Sequence, residues 1–404
     1  MRKSTIFVIF TLWVIVCMPN RSLAAFTFEA HPGVHLAYEY TDNYHGTVSN
    51  EQSESTYEVG PSLGLSFASP VATFDLTGYA ARSLHKRFSE DDSTEASITS
   101  NFSLSQEYQK VGLTYEYMQT RWRGALNEPP GVVKRNTGVG YYTWQMTQQA
   151  TLSLEYGIKD DNWQAPNEDE TSQYGSMHLS YLLSQKDTVN LDVKYDYYDY
   201  QISQDVKVLN TGLAWWHSVT SRLSLGLNSD YTKEDRGDLP NEGIYNLSAS
   251  GKYSFTEFTS MSASGGKSWY IREHQDRESI YTMKASLQHA ADRDSLTAMV
   301  SRGYSTEFTS NLYGIYETRE ASLTWKRKLL EALSSTAELT YLRTIPTKII
   351  MGEDERDTVE RISLGWNPIE YLYADLSYLH LQHRYEISGT ARENRYRLSV
   401  EVRY

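Results

Sequence analysis

The chain has 404 residues, with 51 acidic against 38 basic side chains and a formal charge of −13, a balance that argues against a nucleic-acid partner. Its only cysteine is Cys17, and mean hydropathy is −0.55. After the first 25 residues no apolar run is long enough for a membrane-spanning helix, but a β-barrel evades that test because only every second residue meets lipid.

Residues 1–25 read as a secretory signal rather than as part of the fold. Arg2 and Lys3 give a basic start, Ile6 to Met18 an apolar run, and Ser22-Leu23-Ala24-Ala25 small residues for cleavage after Ala24 or Ala25. Val16 precedes Cys17 where a lipoprotein signal needs a small residue, so Cys17 belongs to the discarded segment. Arg2, Lys3 and Arg21 leave with it, so 35 Lys and Arg then face 51 Asp and Glu, a formal charge of −16. The mature chain, 26–404, has no cysteine and hence no disulfide or thiol chemistry.

From there one unit repeats: an alternating segment, a polar loop, a second alternating segment and a tight turn. Ten such hairpins fall at roughly 33–67, 71–108, 111–147, 150–185, 188–219, 221–255, 258–291, 294–328, 332–366 and 370–404. Leu152, Leu154, Tyr156 and Ile158 oppose Ser153, Glu155, Gly157 and Lys159. Val189, Leu191, Val193, Tyr195 and Tyr197 oppose Asn190, Asp192, Lys194 and Asp196. Leu223, Leu225, Leu227 and Tyr231 oppose Ser224, Gly226, Asn228 and Asp230, and Lys252 falls on the polar side of the next strand. One such strand fits a half-buried soluble sheet; many in series, with charges on the second face, do not.

Short connections (Ser69-Pro70, Gln109-Lys110, Gln148-Gln149, Lys186-Asp187, Ala291-Asp292, Asn367-Pro368) alternate with longer acidic ones that begin at Ser89, Asp160, Lys233 and Met351. The expectation is all-β: a single up-and-down antiparallel transmembrane β-barrel of about 20 strands, with short periplasmic turns and longer acidic outer loops. Merging the weakest hairpin with its neighbours would give 18; among the weaker strands, segment 258–272 is small and polar. No connection is long enough to suggest an inward-folded loop, and no globular segment precedes the first strand to serve as a plug.

The final strand divides most sharply. Tyr396, Leu398, Val400, Val402 and Tyr404 form one apolar face, opposed by Arg395, Arg397, Ser399, Glu401 and Arg403. The apolar set is similar to the terminal signal read by the barrel assembly machinery, with Tyr404 in place of the more usual Phe. That similarity implies the assembly machinery and outer-membrane lipid as partners.

No nucleophile elbow, His-Glu-x-x-His or phosphate-cradling glycine loop occurs, so neither an enzyme nor a cofactor is expected. His380 and His383 lie three apart and point to opposite faces of a strand, which rules out a shared metal there. The candidate functional residues are the charges of the second face: Glu155, Lys159, Asp192, Lys194, Asp196, Asp230, Lys252, Arg361, Arg395, Arg397, Glu401 and Arg403. They read either as a selectivity lining or as a wall that must be wetted and whose mixed charges stabilise neighbouring strands. Tyr198 and Tyr200 face the same way, where flat rings stack on sugar rings or simply pack the wall.

One stretch carries a family pattern. A tyrosine-rich strand, Tyr38-Glu39-Tyr40-Thr41-Asp42-Asn43, is followed by Val59-Gly60-Pro61-Ser62-Leu63. Over Val34 to Leu65 the chain resembles the β-barrel porin 2 family of Gram-negative outer membranes, departing from it at Tyr44, where the family has an aliphatic residue. The resemblance implies a role tied to exopolysaccharide export and its components, and implies no active-site residues. The functional expectation is therefore an outer-membrane channel for polar solutes linked to exopolysaccharide export. The alternatives are a passive porin for small sugars or ions and a structural or adhesive barrel with a closed lumen.

Overall fold

The computed structural model describes residues 27–403 apart from positions 50, 123–130, 165–168, 201–203, 238–239, 274–276, 310–311, 348–353, 370 and 387–388. The expected signal segment and Tyr404 lie outside the described residues. Period-two patterning gives no segment a helical apolar stripe, so the backbone satisfies its hydrogen bonds strand to strand.

Twenty strands result. They are β1 Thr27–Thr41, β2 Glu54–Ala68, β3 Ala72–His85, β4 Ser93–Ser105, β5 Gln109–Trp122, β6 Gly131–Gln145 and β7 Ala150–Gln164. Then come β8 Glu170–Leu182, β9 Asp187–Tyr200, β10 Val206–Ser218, β11 Leu223–Asp235, β12 Glu242–Ser254 and β13 Thr259–Arg272. The last are β14 Glu278–Ala290, β15 Asp294–Thr309, β16 Leu312–Leu330, β17 Leu333–Pro346, β18 Glu355–Ile369, β19 Leu372–Tyr385 and β20 Gly389–Arg403.

Each strand pairs antiparallel with its neighbours in chain order, and β1 pairs with β20 from Gly33↔Arg403 to Thr41↔Arg395, so the sheet closes. The structure is an all-β, closed, up-and-down barrel of 20 strands. The alternative of 18 fails because β13, the small-residue segment, is paired on both sides.

Strands run from 13 to 19 residues, longer than the 9–11 that a tilted strand needs to cross a bilayer. Parts of the expected loops therefore belong to the wall: 160–164 continue β7, 233–235 continue β11 and 355–357 open β18. Two expected turns move for the same reason. Gln109 and Lys110 open β5, and Asn367 and Pro368 lie in β18 beside a register shift.

The wall is one layer thick, so nothing covers its outside, and a buried side chain must point inward. Ala37, Glu39 and Thr41 are buried while Val34, Leu36, Tyr38 and Tyr40 are exposed, which fixes the faces of β1; pairing carries the assignment around the barrel. On the outside, Tyr38, Tyr57, Tyr195, Tyr231 and Tyr396 lie toward the long-loop end. Phe67, Trp144, Tyr181, Trp215, Tyr253 and Trp366 lie toward the short-turn end. Between them sit exposed aliphatics such as Leu63, Leu213 and Leu227. Tyr57 and Phe67, on one strand, are separated by roughly 25 Å along the axis at about 3.3 Å per residue and a tilt near 40°, the height of a bilayer's apolar band.

The inside is less uniform than the alternation suggests. β14 pairs with β15 only from Met283↔Arg302 to Ala290↔Ser295, although both strands continue beyond Met283 and Arg302. Past that point the β15–β16 hairpin leaves the wall. Tyr304 packs against the cluster of Ile244, Tyr270 and Ile315, and its ring lies 6.0 Å from that of Tyr270. Ile244 and Tyr270 point inward from β12 and β13, and Ile315 is 0% exposed. The hairpin around Tyr304 and Ile315 thus lies inside the barrel against the inner faces of β12 and β13. This corrects the expectation that nothing folds inward: the inward element is a strand hairpin, not a long loop.

Candidate functional site

The inner wall is the surface on which function can act, and its charges arrive there by strand parity. Glu155, Lys159, Asp192, Lys194, Asp196, Asp230, Lys252, Arg361, Arg395, Arg397 and Glu401 all fall on inward positions. The side chain of Arg403 lies outside the described residues, though its backbone pairs with Gly33. On the opposite face of β20, Tyr396 and Leu398 are 48% and 46% exposed and Val400 and Val402 half-buried, all pointing outward.

Most of the inward charges are paired with near neighbours. Lys159 Nζ lies 2.8 Å from Asp161 Oδ2, and Arg135 Nε donates to the other oxygen at 2.7 Å. Lys194 Nζ is 2.7 Å from Asp196, His178 Nδ1 is 2.6 Å from Asp192, and Arg361 meets Glu338 at 3.4 Å. The Tyr174 hydroxyl donates to Glu155 at 2.5 Å. Lys252 is exposed on the inner face of β12 and makes no described ion pair. Opposite signs on adjacent strands stabilise the ladder and keep the wall wet.

The arginines of the last strand behave differently. Arg397 donates to Glu58 at 3.0 Å and lies 3.6 Å from Glu39, while Arg395 lies 3.0 Å from Glu393 and 3.8 Å from Glu39. Glu39, Glu58 and Glu393 are each below 9% exposed. His35 Nε2 sits 3.3 Å from Glu58 and its ring stacks on Tyr79 at 4.3 Å. The cluster joins β20, β1, β2 and β3 across the closing seam. The charges of Arg395 and Arg397 are therefore compensated by neighbouring carboxylates. Alternation could have shown that Glu39 and Glu58 face inward, because each stands beside an outward tyrosine; it could not show that they meet Arg397.

A second seam device lies above this cluster. The Asn43 carboxamide donates to the carbonyls of Thr47 at 2.8 Å and Arg392 at 2.7 Å, and accepts from the Thr47 amide at 3.1 Å. Asp42 accepts from the Asn394 backbone at 2.7 Å and from its side chain at 2.6 Å. The Asp-Asn pair that follows the first strand thus ties it to the last. Gly60, in the same family-like stretch, is required by close approach, because a Cβ there would overlap the Ala80 carbonyl.

Inward aromatics were only partly legible. Tyr198 and Tyr200 point inward as expected, with centroids 6.5 Å apart and planes 12° apart. Trp216 also points inward, lying over Gly226, where a Cβ would sit 2.8 Å from its ring. Tyr141 covers Gly112 and Tyr174 covers Gly157 in the same way. Each ring occupies the space that a cross-strand glycine leaves open. His380 and His383 lie on opposite faces, beside Asn394 and Asp357 respectively, each at 2.8 Å. Among the described residues no cluster of three potential metal ligands occurs.

Fold and wall together define the class: an outer-membrane-type β-barrel with a polar inner face. The structure is similar to the FrpB iron transporter from Neisseria meningitidis (F5-1 variant), with TM-score 0.58 and 10% identity over 93% of this chain and 83% of that chain. It is also similar to the siderophore receptor PirA from Pseudomonas aeruginosa, with TM-score 0.51 and 12% identity over 94% of this chain and 81% of that chain. At these identities the likeness is one of fold. No family model matches the chain. No curated protein matches it either.

Proposed function

We propose that this protein is an outer-membrane channel for polar solutes whose narrowest part is set by the inward end of the β15–β16 hairpin. The observation that carries the reading is that hairpin, held by Tyr304 and Ile315 inside a 20-stranded barrel whose inner wall is polar. Twenty strands enclose more space than wall side chains fill, and a wetted, charge-compensated surface passes polar solutes without binding ions of one sign strongly. The two similar structures are named as a siderophore receptor and an iron transporter, names that go with the handling of solutes.

The solute we propose is a secreted polysaccharide or its fragments. The support is the resemblance of Val34–Leu65 to a porin family tied to exopolysaccharide loci, together with inward tyrosines suited to sugar rings. Planar-bilayer recording of the purified barrel tests the channel. Stepwise conductance is expected, larger in Tyr270→Ala, which removes the ring against which Tyr304 rests. Absence of conductance in both proteins would favour a closed structural barrel instead. Deletion of the gene with secreted polysaccharide unchanged in amount and length would overturn the polysaccharide link while leaving a passive porin standing.

A further inference from the structure

We infer that the inner face of β8–β10, near the long-loop end, is a carbohydrate subsite built on Tyr198 and Tyr200. The inference rests on the channel reading, because a solute meets these rings from the lumen. The two side chains are successive inward residues of β9, half-buried, with near-parallel rings whose centroids are 6.5 Å apart. Polar groups border it. Asp196, the preceding inward residue of β9, is 6% exposed and held by Lys194 at 2.7 Å and by the Asn210 amide at 3.4 Å, so Lys194 and Asn210 are the groups it sets at the edge of the rings. Glu170 is the cross-strand partner of Tyr200, and Tyr198 pairs with Val206 on the other side.

The combination selects a ligand class. A pyranose has one face of C–H groups and an equatorial rim of hydroxyls. The C–H face lies on an aromatic ring, and the hydroxyls exchange hydrogen bonds with an amide and with the half-buried Glu170 carboxylate. A purely aromatic solute would gain nothing from the carboxylate rim. A simple cation would need no flat surface, and Lys194 already stands 4.8 Å over the neighbouring Tyr174 ring. Trp216 supplies a second inward ring on β10, level with Thr188 of β9. It lies roughly 30 Å from Tyr200 along the axis, at about 3.3 Å per residue and a tilt near 40°. A linear chain passing through the barrel would therefore touch an aromatic surface near each end.

The test is calorimetric titration of the detergent-solubilised barrel with neutral and uronate hexasaccharides, beside bilayer recording of the same preparation. Wild type is expected to bind at least one of the two. The double variant Tyr198→Leu/Tyr200→Leu is expected to bind at least tenfold more weakly. Tyr195→Leu/Tyr197→Leu, on the outward face of the same strand, serves as the control and is expected to bind as wild type does. Retention of the folded band on unboiled gels shows that each barrel is intact. Equal weakening in both variants, or conductance without binding of either sugar, would overturn the subsite and leave the channel standing. Binding without conductance would overturn the channel instead.

Discussion

Arg397 of β20 donates to Glu58 of β2 at 3.0 Å, reaching across the intervening strand β1. The carboxylate is buried, with Glu58 6% exposed, and it also lies beside His35. The pair ties the last strand to the second, so it forms only when the barrel has closed. Replacing Arg397 with Met leaves Glu58 without its main cationic partner inside the wall. Removing one member of a fully buried pair costs roughly 3–5 kcal/mol, and the 34% exposure of Arg397 places this pair below that range. The expected result is a fall in the urea midpoint of the refolded barrel, with partial recovery in the double variant Arg397→Met/Glu58→Gln.

Asn43 works on the same seam by neutral hydrogen bonds. Its side chain satisfies two backbone carbonyls, those of Thr47 and Arg392, and it is 0% exposed. Asn43→Ala leaves those carbonyls unpaired, at a cost of about 1–3 kcal/mol. Hydrogen exchange is expected to rise at Thr47 and Asn394, next to the seam, and to stay unchanged on β11–β13. Uniform loss of protection around the barrel would contradict a local role.

The assignment of faces makes a directional prediction. Leu227 lies outward, 53% exposed, on the apolar band, whereas Asn190 lies inward on β9. Leu227→Arg places a charge against lipid and is expected to lower folding into phospholipid vesicles by about 2–4 kcal/mol. Asn190→Arg, facing the lumen, should change vesicle folding little. Equal penalties for the two would invert the reading of inside and outside.

Asp354 lies outside the strands and gives the pH prediction. It accepts from Arg343 Nε at 2.9 Å and from Arg356 at 3.3 Å, and the Arg343 bond holds its carboxyl below the ordinary value of 3.8. A depressed folded-state pKa contributes stability above the unfolded value and loses it as pH falls through the folded one. The stability difference between wild type and Asp354→Asn, read from urea midpoints, should hold constant from pH 7 to pH 5. It should close below pH 3.8. A difference that closes between pH 7 and pH 5 would show that Asp354 is not held by the arginines.

Much of this was written in the alternation. Leu152–Ile158 and Val189–Tyr197 fixed which residues face out, and the spacing of polar breaks gave the number of strands. Strand ends were less legible: wall hydrogen bonding carries the β7, β11 and β18 backbones into segments whose acidic composition resembles loop. The inward charges were found by parity, but their partners were not. Period two is a local property and survives any arrangement of the strands. The meeting of Arg397 and Glu58, 339 positions apart, depends on closure of the sheet. The place of Tyr304 and Ile315 depends on where β15 parts from β14. No local pattern marks that parting: the residues alternate as wall residues do. The chain's patterning was enough to require a barrel with a polar inside. Closure and the turned-in hairpin then settled which charges are compensated and which residues pack against the inner wall, because both join residues that the strand pattern holds far apart.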